Sequence, residues 1–102
     1  MVIKCNIDGV NYNLHVLVNN SSKRQGLKAF PELRMNEGVL FYYENDVHHV
    51  YDFSEIPYPC KIIFIDSDFN SVYQRLTKPY QRESVACPQK FKYVIEIPVA
   101  NT

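Results

Sequence analysis

The 102-residue chain contains no tryptophan, only three glycines and only three cysteines, and its formal net charge is zero. Each scarcity excludes something. Cys5, Cys60 and Cys87 form no Cys-x-x-Cys pair, and an odd number at wide spacing argues against a disulfide scaffold or a zinc knuckle. Reduced, half-buried thiols are expected. A balanced charge leaves no basic run for nucleic-acid phosphates. The densest basic cluster, Lys23-Arg24 with Lys28, reads as the solvated face of a short helix. No apolar segment approaches the length of a membrane span. The opening residues MVIKCNIDGV lack a basic stretch followed by an apolar one, the pattern of a secretion signal. These readings place the protein in the cytoplasm, or in a virion assembled there if it is phage-encoded. With so few glycines there is no phosphate-binding loop, no dinucleotide-binding fingerprint and no nucleophile elbow.

What the chain does have is aromatic and strand-like. Eight Tyr and six Phe suit the pleated surface of a sheet. The most informative segment runs from Cys60 to Tyr73. The apolar run Ile62-Ile63-Phe64-Ile65 ends in Asp66-Ser67-Asp68-Phe69-Asn70. Asp, Ser and Asn side chains hydrogen-bond their own backbone, so the segment predicts a buried strand entering a turn. A turn-capping role is expected for Asp66 and Asp68 in preference to calcium binding, which needs more oxygen ligands at fixed spacing.

The same logic orders the rest. Ile3, Cys5 and Ile7 alternate with polar residues, and Asp8-Gly9 predicts a tight hairpin. Val10 to Val18 is the return strand, with Tyr12, Leu14, Val16 and Val18 on one face. Ser21 or Ser22 is the expected cap of a short helix near residues 21–29, which Pro31 ends. Val39–Tyr43 is a strand and Val47–Phe53 its antiparallel partner. Strands follow around Ile62–Ile65 and Val72–Leu76. The last strand, Phe91–Ile97, should put Phe91, Tyr93, Ile95 and Ile97 inward and Lys92 and Glu96 outward. About seven short strands and one helix predict a single mainly β domain over residues 1–102: an antiparallel β-sandwich or open barrel of jelly-roll type.

Four stretches in this order carry a resemblance. They are Arg24-Gln25-Gly26-Leu27, Gly38-Val39-Leu40-Phe41, Pro59-Cys60-Lys61-Ile62-Ile63-Phe64-Ile65-Asp66 and Tyr93-Val94-Ile95-Glu96-Ile97-Pro98. Over roughly residues 10–99 the chain resembles the bacterial and archaeal family known as domain of unknown function 192. The resemblance implies a compact β-sandwich and no established activity, cofactor or catalytic residue. The chain departs from it where the family usually has Trp-Met-Lys-Asn-Thr; here Asp52-Phe53-Ser54-Glu55-Ile56 stands. Lys61 replaces the family's strand Asp. The chain reads as a divergent member. Residues with A/T-rich codons (Phe, Tyr, Met, Ile, Asn, Lys) number 40 against 16 for Gly, Ala, Arg and Pro, which suggests an AT-rich genome such as a phage's.

No constellation of residues demands catalysis, so no catalytic, cofactor-binding or metal-ligating residue is assigned. His48 and His49 are adjacent, so on a strand they point to opposite faces; one packed and one exposed histidine is expected. A metal site would need one of them with Cys60, Cys87, His15 or Asp52. Burial should leave Cys5 and Cys60 inert, and Cys87, between Ala86 and Pro88, is the best-placed reactive thiol. The tyrosines outnumber what one small core needs, and Tyr suits interfaces. Tyr58, Phe69 and Tyr80 are therefore the candidate contact residues. The leading expectation is a non-enzymatic interaction module that binds another protein or itself, without nucleic acid or membrane. The alternative is a sandwich that binds a small ligand such as a nucleotide or sugar, and a metal- or thiol-dependent enzyme stands last.

Overall fold

A computed structural model describes residues 1–99 of the chain. Eight strands and one short helix make up the fold: β1 (Val2–Ile7), β2 (Val10–Leu17), α1 (Asn20–Gln25), β3 (Glu37–Val47), β4 (Val50–Tyr51), β5 (Cys60–Ile65), β6 (Ser71–Thr77), β7 (Val85–Ala86) and β8 (Phe91–Pro98). A 3-10 turn, Gly26–Ala29, continues from α1. Six strands form one sheet in the order β1-β2-β3-β8-β5-β6, while β4 and β7 form a separate two-stranded ribbon.

Local chemistry explains the turns. Asp8 and Gly9 both adopt positive φ, 52° and 86°, as a two-residue hairpin requires. After β5, the Asp66 Oδ1 accepts hydrogen bonds from the backbone N–H groups of Asp68 (3.0 Å) and Asn70 (2.8 Å). Asp66 therefore caps the turn as its position suggested. The helix cap is Asn19, whose side chain accepts from Ser22 N–H at 2.7 Å, and neither Ser21 nor Ser22 takes that place.

Topology departs from the expected antiparallel array at two places. β2 and β3 pair in parallel, Asn13 beside Glu37 through Leu17 beside Phe41. A parallel pair needs a crossover, and α1 with the 3-10 turn supplies it. The segment Val47–Phe53 does not return along β3. β3 itself runs on to Val47, and Val50–Tyr51 pairs instead with Val85–Ala86.

The central strands are buried on both faces, which explains their continuous apolar runs. One face carries Val39, Phe41, Ile62, Phe64, Phe91 and Val94, covered by Leu27, Tyr51, Phe53, Ile56, Val85 and Cys87. The other carries Leu40, Ile63, Ile65, Ile95 and Ile97, which meet Ile7, Tyr12 and Leu14 of the same sheet. The sheet must curl for its own strands to supply both sides of that second core. Gln74 of β6 reaches across to donate to Asp8 Oδ2 at 2.8 Å, joining the two ends of the curl. No ladder closes β6 onto β1 among the described residues, so the curl stays short of a barrel.

Candidate functional site

Glu96 is the residue whose placement sequence alternation missed. It lies on β8 between Val39 of β3 and Ile62 of β5, in a row of the sheet whose neighbours are fully buried. It is 6% exposed, not outward-facing. The reason is the double-sided burial of β8: Ile95 and Ile97 take the curled face, so Glu96 must take the face under α1. One signal was available. A lone carboxylate inside Val94-Ile95-Glu96-Ile97 breaks an otherwise unbroken apolar run.

A cleft of about 620 Å³ opens above Glu96. Its near wall is α1 and the 3-10 turn, with Lys23, Arg24, Gly26 and Lys28. Its far wall is β4 and the following loop, with His49, Tyr51, Asp52 and Glu55, and Phe41, Tyr43 and Glu96 line it from the sheet. Lys28 Nζ and Glu55 Oε2 close one end of the cleft with an ion pair of 2.7 Å. Both groups are solvated, so the pair contributes little to stability.

Gly26 allows the helix to end over the acid. Its backbone (φ 49°, ψ −133°) lies where side chains are strained, and a Cβ there would stand 3.5 Å from Glu96 Oε1. Gly38 serves the other side. A Cβ at Gly38 would meet the Glu96 carbonyl oxygen at 2.3 Å, so only glycine lets β3 lie this close to β8. Three of the four stretches singled out in the sequence thus converge on one residue: Gly26 faces the Glu96 carboxyl and Gly38 its backbone carbonyl.

The electrostatics of the cleft follow from burial. The Glu96 carboxyl is pushed up to about 8 by loss of water, with no neighbouring charge or donor offsetting it. No hydrogen bond or ion pair reaches it among the described residues. Tyr43 and Tyr51 share a hydroxyl–hydroxyl hydrogen bond of 2.7 Å, and burial pushes both phenols above their ordinary value. Lys23 Nζ lies 4.0 Å from the centroid of the Tyr43 ring, a cation–π contact. Burial lowers its ammonium, opposed by the nearby Glu44. Asp52 is held below its ordinary value because it accepts the Ser54 N–H at 2.8 Å.

The three candidate contact residues lie elsewhere. Tyr58 is half-buried and packs against the core beneath the cleft-bearing face. Tyr80 is 60% exposed, and its N–H donates to Ile56 O at 2.8 Å, so the loops 54–59 and 77–89 touch. Phe69 stands at the other end of β5 from Tyr58, packed edge-on against Tyr93 at 5.3 Å. Six strand residues separate those ends, about 20 Å, so Phe69 shares no surface with Tyr58.

His48 and His49 are both exposed, contrary to the one-in, one-out expectation. His48 Nε2 bonds the Cys87 carbonyl at 2.8 Å, and His49 lies 5.4 Å from the Tyr43 ring. Cys87, expected to be accessible, is 2% exposed beside β7. Among the described residues no three His, Cys, Asp or Glu side chains gather closely enough to hold a metal ion. No helix among them is long and apolar enough to cross a membrane.

The chain belongs to the domain of unknown function 192 family, described as uncharacterized ACR, whose family model matches residues 3–101. No curated protein matches it. Two solved structures are similar. A candidate transcription regulator from Sinorhizobium meliloti 1021 aligns with a TM-score of 0.76 at 20% identity, over 95% of this chain and 78% of the other. A protein of unknown function from Novosphingobium aromaticivorans DSM 12444 aligns with a TM-score of 0.78 at 17% identity, over 95% and 71%. At such identities the likeness establishes the shared fold alone.

Proposed function

We propose that this chain is a non-enzymatic binding module that holds a small polar molecule in the cleft between α1 and the sheet. One observation carries the reading: the Glu96 carboxyl, nearly buried and with no hydrogen-bond partner among the described residues, keeps its oxygens only on the water of a cleft of ligand size. A carboxyl left with so little water gains more from a ligand's donor than a fully solvated one does. Clefts of a few hundred cubic ångströms lined by aromatic rings and a few convergent polar groups are the usual form of small-molecule sites. In this reading the chain works as jelly-roll sandwiches do, with the ligand between a large sheet and its cover; that step is analogy.

The test is amide chemical-shift mapping of the labelled protein against a library of metabolites. Shifts at residues 23–28, 41–43, 49–55 and 96 are expected for at least one class of compound. A library that leaves all those amides unmoved overturns the reading.

A second reading, a protein-interaction module, is favoured by a different feature. Leu76 on the edge strand β6 is 66% exposed and Tyr80 just beyond it 60%. A partner, or a second copy, would cover that edge, and a phage source would make it a virion or host-directed component. Native mass spectrometry separates the two: a discrete oligomer weakened by Leu76→Lys favours this second reading, and a monomer retaining a small added mass favours the first.

A further inference from the structure

The cleft sets an ionisable acid at depth and cationic groups along its α1 rim, and this narrows the ligand. The deep group is Glu96, walled by the aromatic rings of Phe41, Tyr43 and Tyr51. Aromatic faces beside a carboxylate favour a cation, since both present negative potential to it. The chain already shows the preference, for Lys23 lays its own ammonium on the Tyr43 ring. The shallow groups on the α1 wall are cationic, and Asp52 and Glu55 face them from the far wall. The one ion pair among the described residues engages Lys28, so Arg24 lines the cleft mouth without a carboxylate partner.

Resting on the small-ligand reading, we infer that the cleft binds a zwitterion, its ammonium group on Glu96 and its carboxylate at Arg24 and Lys23. A simple polycation fits poorly, because it would set its outer charge against Lys23 and the unpaired Arg24, with Glu55 already engaged by Lys28 and Asp52 the one acid left on the far wall. A simple anion fits poorly as well, because it leaves the Glu96 end of the cleft and its aromatic lining without a cation. A zwitterion answers both groups.

Binding also moves a proton. In the free protein near neutral pH the Glu96 carboxyl holds its proton, because burial pushes it up to about 8. Seating an ammonium group favours the carboxylate, so that proton passes to the buffer. The titratable groups packed closest around Glu96 are Tyr43 on β3, Tyr51 on β4, Tyr58 and Cys60, all raised by burial and neutral at that pH, and Lys23, Arg24, Lys28, His49, Asp52 and Glu55 line the rest of the cleft. None of the closest four competes for the proton released.

The probe is 6-aminohexanoate, compared with hexanoate and 6-hydroxyhexanoate, which lack the charged nitrogen. Titration calorimetry at pH 7 in two buffers of different ionisation enthalpy reads affinity and proton release together. Amide shifts locate the site. The expected result is that 6-aminohexanoate moves Gly26, Leu27 and Glu96 and releases a proton, and that both analogues bind at least about tenfold more weakly. Glu96→Gln should weaken the amino acid about tenfold and abolish proton release. Arg24→Ala, an exposed change that leaves the core intact, should weaken it severalfold without altering proton release.

Equal binding of 6-hydroxyhexanoate, or unchanged binding by Glu96→Gln, overturns the inference. If 6-aminohexanoate fails while neutral polyols or nucleotides shift the cleft amides, the zwitterion is wrong and the small-ligand reading stands. If neither the amino acid nor any library compound shifts them, both fall.

Discussion

Gly26 faces the Glu96 carboxyl so closely that a single methyl added to it would touch Glu96 Oε1. Gly26 holds a positive φ of 49° at the point where α1 passes into the 3-10 turn. With ψ at −133° the residue lies outside the left-handed helical region that other side chains visit, and holding one there costs about 1–3 kcal/mol. The space beside it is tight but open: the nearest atoms, Glu96 Oε1 and Phe41 Cζ, would both lie 3.5 Å from an added Cβ. Gly26→Ala should therefore fold, with stability lowered by about 1–3 kcal/mol in urea denaturation. An unchanged midpoint would show that the helix end relaxes without that backbone conformation.

Gly38 gives a harsher outcome from the same neighbour. A Cβ there would stand 2.3 Å from Glu96 O, a backbone atom that cannot rotate away. β3 and β8 would have to separate at the centre of the sheet. Gly38→Ala should cost roughly 3 kcal/mol or more, because overpacking against backbone has no cheap relief. A large loss in denaturation midpoint, or insoluble expression, is expected beside a soluble Gly26→Ala.

Much of this architecture is legible in short stretches of sequence. Asp8-Gly9, Asp66 and the run Ile62–Ile65 act through their own backbone and nearest neighbours, so their roles can be read locally. The parallel pairing of β2 with β3 cannot, since Asn13 meets Glu37 only through a crossover of variable course. Nor does Val50–Tyr51 announce that its partner is Val85–Ala86. Glu96 was hidden for a related reason. Alternation assigns it to solvent beside Lys92, but alternation holds only where one face of a strand is wet. The cleft joins α1, β3, β4 and β8, and no single stretch of chain displays it.

The thiols should separate cleanly in a labelling experiment. Cys60 is fully buried, and burial pushes its thiol up to about 12, with Glu96 adding to the effect. Cys87 is 2% exposed. Cys5, on the edge strand β1, is half-buried and only its burial raises it. Because the thiolate is the reactive species, a disulfide reagent at pH 8 should modify Cys5 in the native protein and reach Cys60 and Cys87 only after denaturant is added. Rapid native labelling of all three would mean that the sheet opens readily.

Glu96 should also leave a signature in the pH dependence of stability. Its ordinary value is 4.5, and burial raises it to about 8 in the folded protein. Between those limits the unfolded chain gives up the proton while the folded chain keeps it. The unfolded state then binds fewer protons, so stability falls as pH rises through that window. The penalty is absent below the unfolded value and complete above about pH 8, and it amounts to something on the order of 4 kcal/mol. Glu96→Gln is close in size, keeps hydrogen-bonding capacity and cannot ionise. The variant should match the parent near pH 4.5 and exceed it progressively toward pH 8, where the gap reaches a few kcal/mol. Other groups titrate in both proteins and cancel in the difference, including Asp52, whose lowered value acts in the opposite sense. Paired urea denaturations from pH 4.5 to 8.5 measure this directly. A difference that stays flat across the range would mean that the acid finds water or a cation in the folded state, and that the cleft is wetter than its lining implies.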